Sequence, residues 1–174
     1  VLSDPEAQAS LAEPGDPAIF EARALSWTAA RGIRLQADDF RSIPAAGRTP
    51  SIRETWPARE WLPVRFSSEA GPMLEWLHFS DISPNAPFFD DAVQEAGFRP
   101  FNRLMRIATP LEAFPGDTRL RAPTGLVFHM SRCGSTLVSQ MLGAAPGHVS
   151  IAEASPFDAV LRHDFADPDA HIQA

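Results

Sequence analysis

Gly125-Leu126-Val127-Phe128-His129-Met130-Ser131-Arg132-Cys133-Gly134-Ser135-Thr136-Leu137 is the stretch on which the fold turns. Gly125 to Met130 is a short, nearly continuous apolar run, the pattern of a strand buried on both faces. Ser131 to Ser135 follows as a compact polar loop. Thr136 to Ala144 then puts Leu137, Val138, Met141 and Leu142 on one stripe, which predicts a helix ended by Pro146-Gly147. His148 to Ala152 reads as a second apolar strand, and Ser155-Pro156 opens another helix that runs to about Arg162. Strand, loop, helix, strand and helix in that order predict the opening of a parallel α/β sheet.

The loop is where chemistry is expected. A buried strand that feeds small residues straight into a helix leaves unpaired backbone N–H groups at the helix start, where the dipole adds positive charge. Gly134 lets an anion approach the backbone with no Cβ in the way. Ser135 and Thr136 offer hydroxyl donors and also read as N-caps, which is compatible with anion binding. The charge of Arg132 opposes the dipole of the helix that follows, so a bound anion accounts for it better than a bare surface. Cys133 reads as a small loop residue, because no Arg stands six positions on as a cysteine-based phosphatase loop needs.

Outside this stretch the chain divides at about residue 118. Residues 1–15 are Ala-, Pro- and acid-rich and read as frayed. Asp16-Pro17 starts a helix to about Arg31, with Ile19, Phe20, Ala24 and Trp27 along one face and Gly32 closing it. Residues 38–60, broken by four prolines and glycines, read as loop. Trp61 to Ser67 alternates with Leu62, Val64 and Phe66 on one side, Ser68 to Gly71 turns, and Met73 to Phe79 alternates again. That is a hairpin, and Pro63 puts its first strand at a sheet edge. Pro87 to Ala96 reads as a short helix closed by Gly97, and 98–121 has no clear pattern. Residues 16–118 are thus a small α+β region, and 119–174 are the first βαβα of a larger sheet. Asp167-Pro168-Asp169 is a further helix start close to the last residue, which predicts the front part of a longer protein.

Composition narrows the function classes. The chain has 174 residues, 44% of them hydrophobic and including 12 Phe and 4 Trp, enough to build a core. A net charge of −7 leaves no basic excess with which to neutralise nucleic-acid phosphates. One Cys excludes an internal disulfide framework and a four-Cys zinc site, and it suits a reducing, cytoplasmic setting. No apolar run is long enough to span a membrane. All 15 basic residues are Arg, so a lysine-dependent phosphate loop of the G-x-x-x-x-G-K-[ST] type is excluded. Any anion site must use Arg, backbone N–H groups and hydroxyls.

His129-Met130-Ser131-Arg132-Cys133-Gly134-Ser135-Thr136-Leu137 resembles the loop that binds the 5′-phosphosulfate in the sulfotransferase family. The resemblance covers residues 119–163, roughly a quarter of the chain, and takes in the next strand with Glu153 and the Pro156 helix. It implies a P-loop-like α/β fold. The implied co-substrate is 3′-phosphoadenosine-5′-phosphosulfate (PAPS), with no metal. Arg132 takes the family's basic position and Cys133 its small position, while Gly134, Ser135 and Thr136 match directly. Residues 131–136 would then hold the donor, and Arg132 would stabilise charge on the leaving oxygen. The partners implied are this nucleotide donor and a small-molecule, carbohydrate or lipid acceptor bearing a hydroxyl or amine. The family's 3′-phosphate contacts, an Arg and a Ser on later elements, are expected beyond Ala174.

The catalytic base, the acceptor and the oligomeric state are not legible. Glu153 suits either a base at the ligand crevice or a helix-start carboxylate beside Ser155-Pro156. His129, mid-strand, reads as a buried, hydrogen-bonded histidine. The Trp residues at 56, 61 and 76 read as core packing, and Asp90-Asp91 as a solvated helix face. Two other readings stay open: a nucleotide kinase or NTPase, which the missing Lys disfavours, and a non-enzymatic binding module that keeps the anion loop.

Overall fold

The computed structural model describes residues 1–41, 49–55, 57, 60–113 and 123–163. It is a mixed α/β structure whose sheet has four strands in the order β1-β4-β3-β2. These are β1 (Ser51–Ile52), β2 (Trp61–Ser67), β3 (Met73–His78) and β4 (Ile107–Pro110). β1 and β4 are parallel, while β3 pairs antiparallel with both β2 and β4. The helices are α1 (Pro5–Ala12), α2 (Pro17–Ala29), α3 (Ala37–Arg41), α4 (Phe89–Phe98), α5 (Pro100–Leu104), α6 (Ser135–Ala144) and α7 (Ser155–Arg162).

The hairpin forms as its period-2 pattern requires, and β2 lies at the sheet edge where Pro63 can be tolerated. Its two faces differ from the simple alternation. The register shifts between Pro63 and Arg65, so one residue is inserted in β2. Leu62 and Val64 therefore pack on one side of the sheet with Leu77, while Phe66 joins Trp61 on the other.

β3 feeds both sides. Leu74 and Trp76 enter one core cluster with Leu11, Phe20, Trp61, Phe101 and Ile107. Leu77 faces the second, with Phe79, Phe89 and Ala96. Helices α1, α2 and α5 pack together over the first side, and α4 covers the second. Val160 of α7 belongs to the first cluster, and α7 packs on β2. Val160 thus brings one buried side chain of the second half into a cluster built otherwise from the first.

Several expectations are corrected. Residues 1–15 hold α1, whose start is capped by Asp4 accepting from the Ala7 amide, with Pro5 in the first turn. Leu11 and Ala12 are buried against the sheet helices, and the Gln8 amide oxygen accepts from the buried Trp61 indole at 2.8 Å. Burial outweighs the weak composition there. In α2 the buried face is Phe20, Ala24 and Thr28, and Ile19 points to solvent. Trp27 instead carries the Arg31 guanidinium 4.0 Å above its ring. Gly97 lies inside α4, which ends where Arg99 turns extended before Pro100. Within 38–60, α3 and β1 form, and 98–113 contains α5, β4 and a 3-10 turn at Leu111–Ala113. The boundary at 118/119, the helix signal at 167–169 and Trp56 lie outside the described residues.

The largest correction concerns the parallel sheet. Neither Gly125–Met130 nor 148–152 is a strand, and the four-stranded sheet is built wholly from residues 51–110. The apolar run pairs with no strand among the described residues and lies in solvent, with Phe128 90% and Met130 80% exposed. An apolar pattern specifies a buried strand only when neighbours exist to pair its backbone.

Asn102 ties the layers together. Its side chain accepts from the His78 amide at 2.8 Å and donates to the carbonyls of His78 and Ala96, both at 2.8 Å. It is 1% exposed, so each lost bond would strand a buried polar group. Asn102→Ala is expected to cost about 3 kcal/mol in denaturant unfolding. A loss within experimental error of zero would show that these bonds are dispensable.

His78 is itself buried, with Nδ1 unpartnered among the described residues. Burial pushes its imidazole pKa down, and the nearby Glu60 charge opposes this only in part. The unfolded chain then takes up a proton before the folded one does. This contribution to stability is complete above the ordinary value of 6.5 and is lost as pH falls from there toward the folded value. Unfolding free energy should decline between about pH 7 and pH 5, and less steeply in His78→Gln. Parallel pH profiles for the two proteins would refute the assignment to His78.

Candidate functional site

The loop expected to carry chemistry turns as a tight bend and enters α6 at Ser135. Gly134 occupies the N-cap with φ 89° and ψ 11°, a left-handed conformation that only glycine adopts freely. No side chain caps α6. The Gly134 carbonyl accepts from the Leu137 amide at 3.0 Å, while among the described residues no side-chain oxygen accepts from the first-turn amides. Ser135 and Thr136 are therefore first-turn residues, half-buried, and not caps. Ser131, Arg132 and Cys133 are exposed beside them.

Arg132 has φ 58° and Glu153 has φ 53°, both in the left-handed region. Each costs about 1 kcal/mol relative to ordinary backbone. Glu153 follows the 148–152 segment and is exposed, and its side chain does not cap α7. Its carboxylate oxygen lies 3.7 Å from Nε2 of His129. His129 is not the buried residue expected, because the segment carrying it is solvated. Its apolar neighbours in the sequence concealed this, and only the pairing with Glu153 reveals it.

A cavity of about 500 Å³ opens here. Phe128, Met130 and Val138 supply apolar wall, and His129, Cys133 and Ser135 supply polar groups. Arg132 and Glu153 are outside that lining. A second cavity, about 280 Å³, lies under β2 and β3, where Arg106 is paired with Glu75 at 2.5 Å.

α6 buries no residue, and Leu137, Val138, Met141 and Leu142 are all exposed. Polar contacts hold it instead. Asn85, in the Ser83–Pro87 turn before α4, donates to the Gly143 carbonyl at 3.3 Å and accepts from the Ser150 amide at 2.9 Å. The Gln140 amide donates to the Asn85 carbonyl at 2.9 Å, and Ser139 and Ser150 share a hydrogen bond of 2.8 Å. The Phe89 amide donates to Ala152, and the Ser155 hydroxyl to Asp90. Asp90 thus anchors the loop's second flank, where the sequence suggested a purely solvated face. The one signal for Asn85 was an amide side chain bracketed by Pro84 and Pro87, a fixed turn with bonding capacity to spare.

Among the described residues no group of three or more His, Cys, Asp or Glu side chains could hold a metal ion. None of the described helices is long and apolar enough to cross a membrane. No protein-family model matches the chain, and neither does any curated protein or any solved structure.

Asn85→Ala removes both side-chain bonds that fix the far end of α6 to the Ser150 strand-like segment. The amide of Ser150 should then exchange with solvent faster, by an opening free energy lower by about 1–3 kcal/mol. Unaltered exchange at Ser150 would mean that α6 is held by something else.

Proposed function

We propose that this chain carries the donor-binding loop of a sulfotransferase, moving a sulfuryl group from PAPS to a hydroxyl or amine. The observation that supports it is the start of α6. There an uncapped first turn, a left-handed glycine and an exposed guanidinium occur together. Uncapped amides and the helix dipole favour an anion, and glycine at Gly134 leaves the backbone open to one. The donor set of Arg132, Ser135, Thr136 and backbone N–H fits a phosphosulfate, which offers acceptor oxygens and no donors.

In this reading Ser131 to Thr136 bind the 5′ end of the donor. Arg132 neutralises the charge that grows on the bridging oxygen as the sulfur–oxygen bond breaks. Glu153 provides the carboxylate on the acceptor side. Such catalysis is positioning plus electrostatics, and the site contributes no covalent intermediate of its own.

A binding module is the second reading, favoured by the exposed apolar row from Leu126 to Leu142. The two separate by calorimetry with adenosine 3′,5′-bisphosphate. The sulfotransferase reading expects saturable binding by the full-length protein that Arg132→Ala weakens by tenfold or more, about 1.4 kcal/mol. Equal affinity in the variant would remove Arg132 from the site. Absence of any binding, alongside capture of a protein by the apolar row, would favour the module.

A further inference from the structure

We infer that the cavity beneath β2 and β3 is a second binding site, one that takes a small organic carboxylate with an apolar body. The inference stands apart from the sulfotransferase reading and uses none of its residues.

A β-bulge builds the mouth of this cavity. Leu62 pairs with Leu77 and Pro63 with Trp76, but the residue opposite Glu75 is Arg65, so Val64 is the inserted one. Under strict alternation Arg65 would lie with Pro63 on the other face of the sheet. The insertion turns both residues the same way, and Val64 and Arg65 line one cavity. A bulge gives up ladder hydrogen bonds and re-aims a side chain. Here the side chain it delivers is a guanidinium, brought to the side of the sheet that packs against α4. Arg65 stays exposed, so it stands at the mouth.

Two further guanidiniums come from α5 and the residues just after it. Arg103 is in the last turn of α5, directly after Asn102, whose bonds to His78 and Ala96 fix that turn against β3 and α4. Nε of Arg103 is buried, and the side chain lines the cavity. Arg106 lines it as well, held by Glu75 at 2.5 Å, with the two side chains 25% and 16% exposed.

Three guanidiniums and one carboxylate thus border a space of about 280 Å³ in a protein of net charge −7. The local sign is opposite to that of the whole chain, and a cleft of one sign concentrates counter-ions. Each guanidinium presents a planar fork of donors that matches the two oxygens of a carboxylate. Glu75, held by Arg106, keeps the ligand's charge on the side of Arg65 and Arg103. Val64, Leu77 and Val93 supply apolar wall, and Gly97 of α4 adds no Cβ to the space. An apolar body fits that wall. The volume lies at the small end for ligand pockets and limits the ligand to a molecule of benzoate size.

Titration of the whole chain with benzoate, followed by the backbone amide shifts of isotope-labelled protein, tests this. Saturable shifts are expected at Val64, Arg65, Val93, Gly97 and Arg103. Shifts confined to the loop from Ser131 to Gly134, or none that saturate, overturn the proposal. Benzamide, the neutral counterpart, should bind about tenfold more weakly, and inorganic phosphate should leave Val64 and Val93 unmoved. Equal affinity for benzamide overturns the role of charge. Phosphate that shifts the same amides equally overturns the role of the apolar wall.

Two variants locate the ligand. Arg65→Gln alters an exposed side chain, leaves the core intact and should weaken benzoate about fivefold. Val93→Phe fills the cavity from the α4 side and should abolish binding. Unchanged affinity in either folded variant places benzoate elsewhere and overturns the proposal.

Discussion

One buried amide sets the geometry from which the rest of the structure follows. Asn102 joins the end of β3 to the end of α4, because its oxygen and nitrogen satisfy His78 as a neighbouring strand would and its second N–H closes on Ala96. α4 is thereby fixed against the sheet. The turn that precedes α4 carries Asn85, and Asn85 holds α6 and Ser150. The loop from Ser131 to Gly134 hangs from α6. A path of chain and hydrogen bonds therefore runs from a buried polar group to the exposed loop, and its hydrogen-bonded links are side-chain amides meeting backbone atoms. Amides suit the task because each offers two donors and an acceptor in one plane.

Fixing the site from behind leaves its front open. A protein of net charge −7 places a guanidinium at a helix start, where the dipole disfavours it, and bends its backbone into the left-handed region to do so. Two terms there are unfavourable, and no salt bridge of Arg132 offsets them among the described residues. Glu153 repeats the backbone strain on the other flank. Strain at both flanks of one loop, in residues of opposite charge, is hard to attribute to folding, because neither residue contributes to the core. Ser80, away from this loop, shares that backbone region at φ 49°, and in the proposed reading a bound anion would repay the cost at Arg132.

Sequence patterns revealed the elements governed by local physics. The β2–β3 hairpin was legible because alternation of Leu74, Trp76 and their neighbours has a period that only a strand satisfies. α2 and α7 were legible from Asp16-Pro17 and Ser155-Pro156, which limit where a helix can start. The turn from Ser131 to Gly134 and the helix after it were legible as well, since small polar residues ahead of an apolar stripe mark a helix start. What escaped depended on distant partners. α1 looked too poor to fold, yet Gln8 meets Trp61 across 53 positions and Leu11 enters the core. The bulge in β2 leaves no mark in the alternation. The run Gly125 to Met130 has the composition of an interior strand and lies in water, because composition records a preference and pairing decides whether it is met. The same misreading buried His129 on paper, and so hid the pair it makes with Glu153.

That failure bears on how the site works. A helix with no buried residue has no hydrophobic term to lock it, so α6 is restrained by hydrogen bonds that are each worth about 1 kcal/mol in net stability. Local opening of α6 is then far cheaper than unfolding of the core beneath it. An anion at the first turn of α6 would add charge-assisted bonds to the amides, stronger than the neutral bonds that hold the helix's far end. Binding would order the cradle from the front while Asn85 holds it from the back. The ordering would bring the loop and its flanks, including His129 and Glu153, to a single arrangement. In the proposed reading an open, weakly packed site would be no obstacle to chemistry that depends on position: the donor itself would supply the restraint that the core withholds.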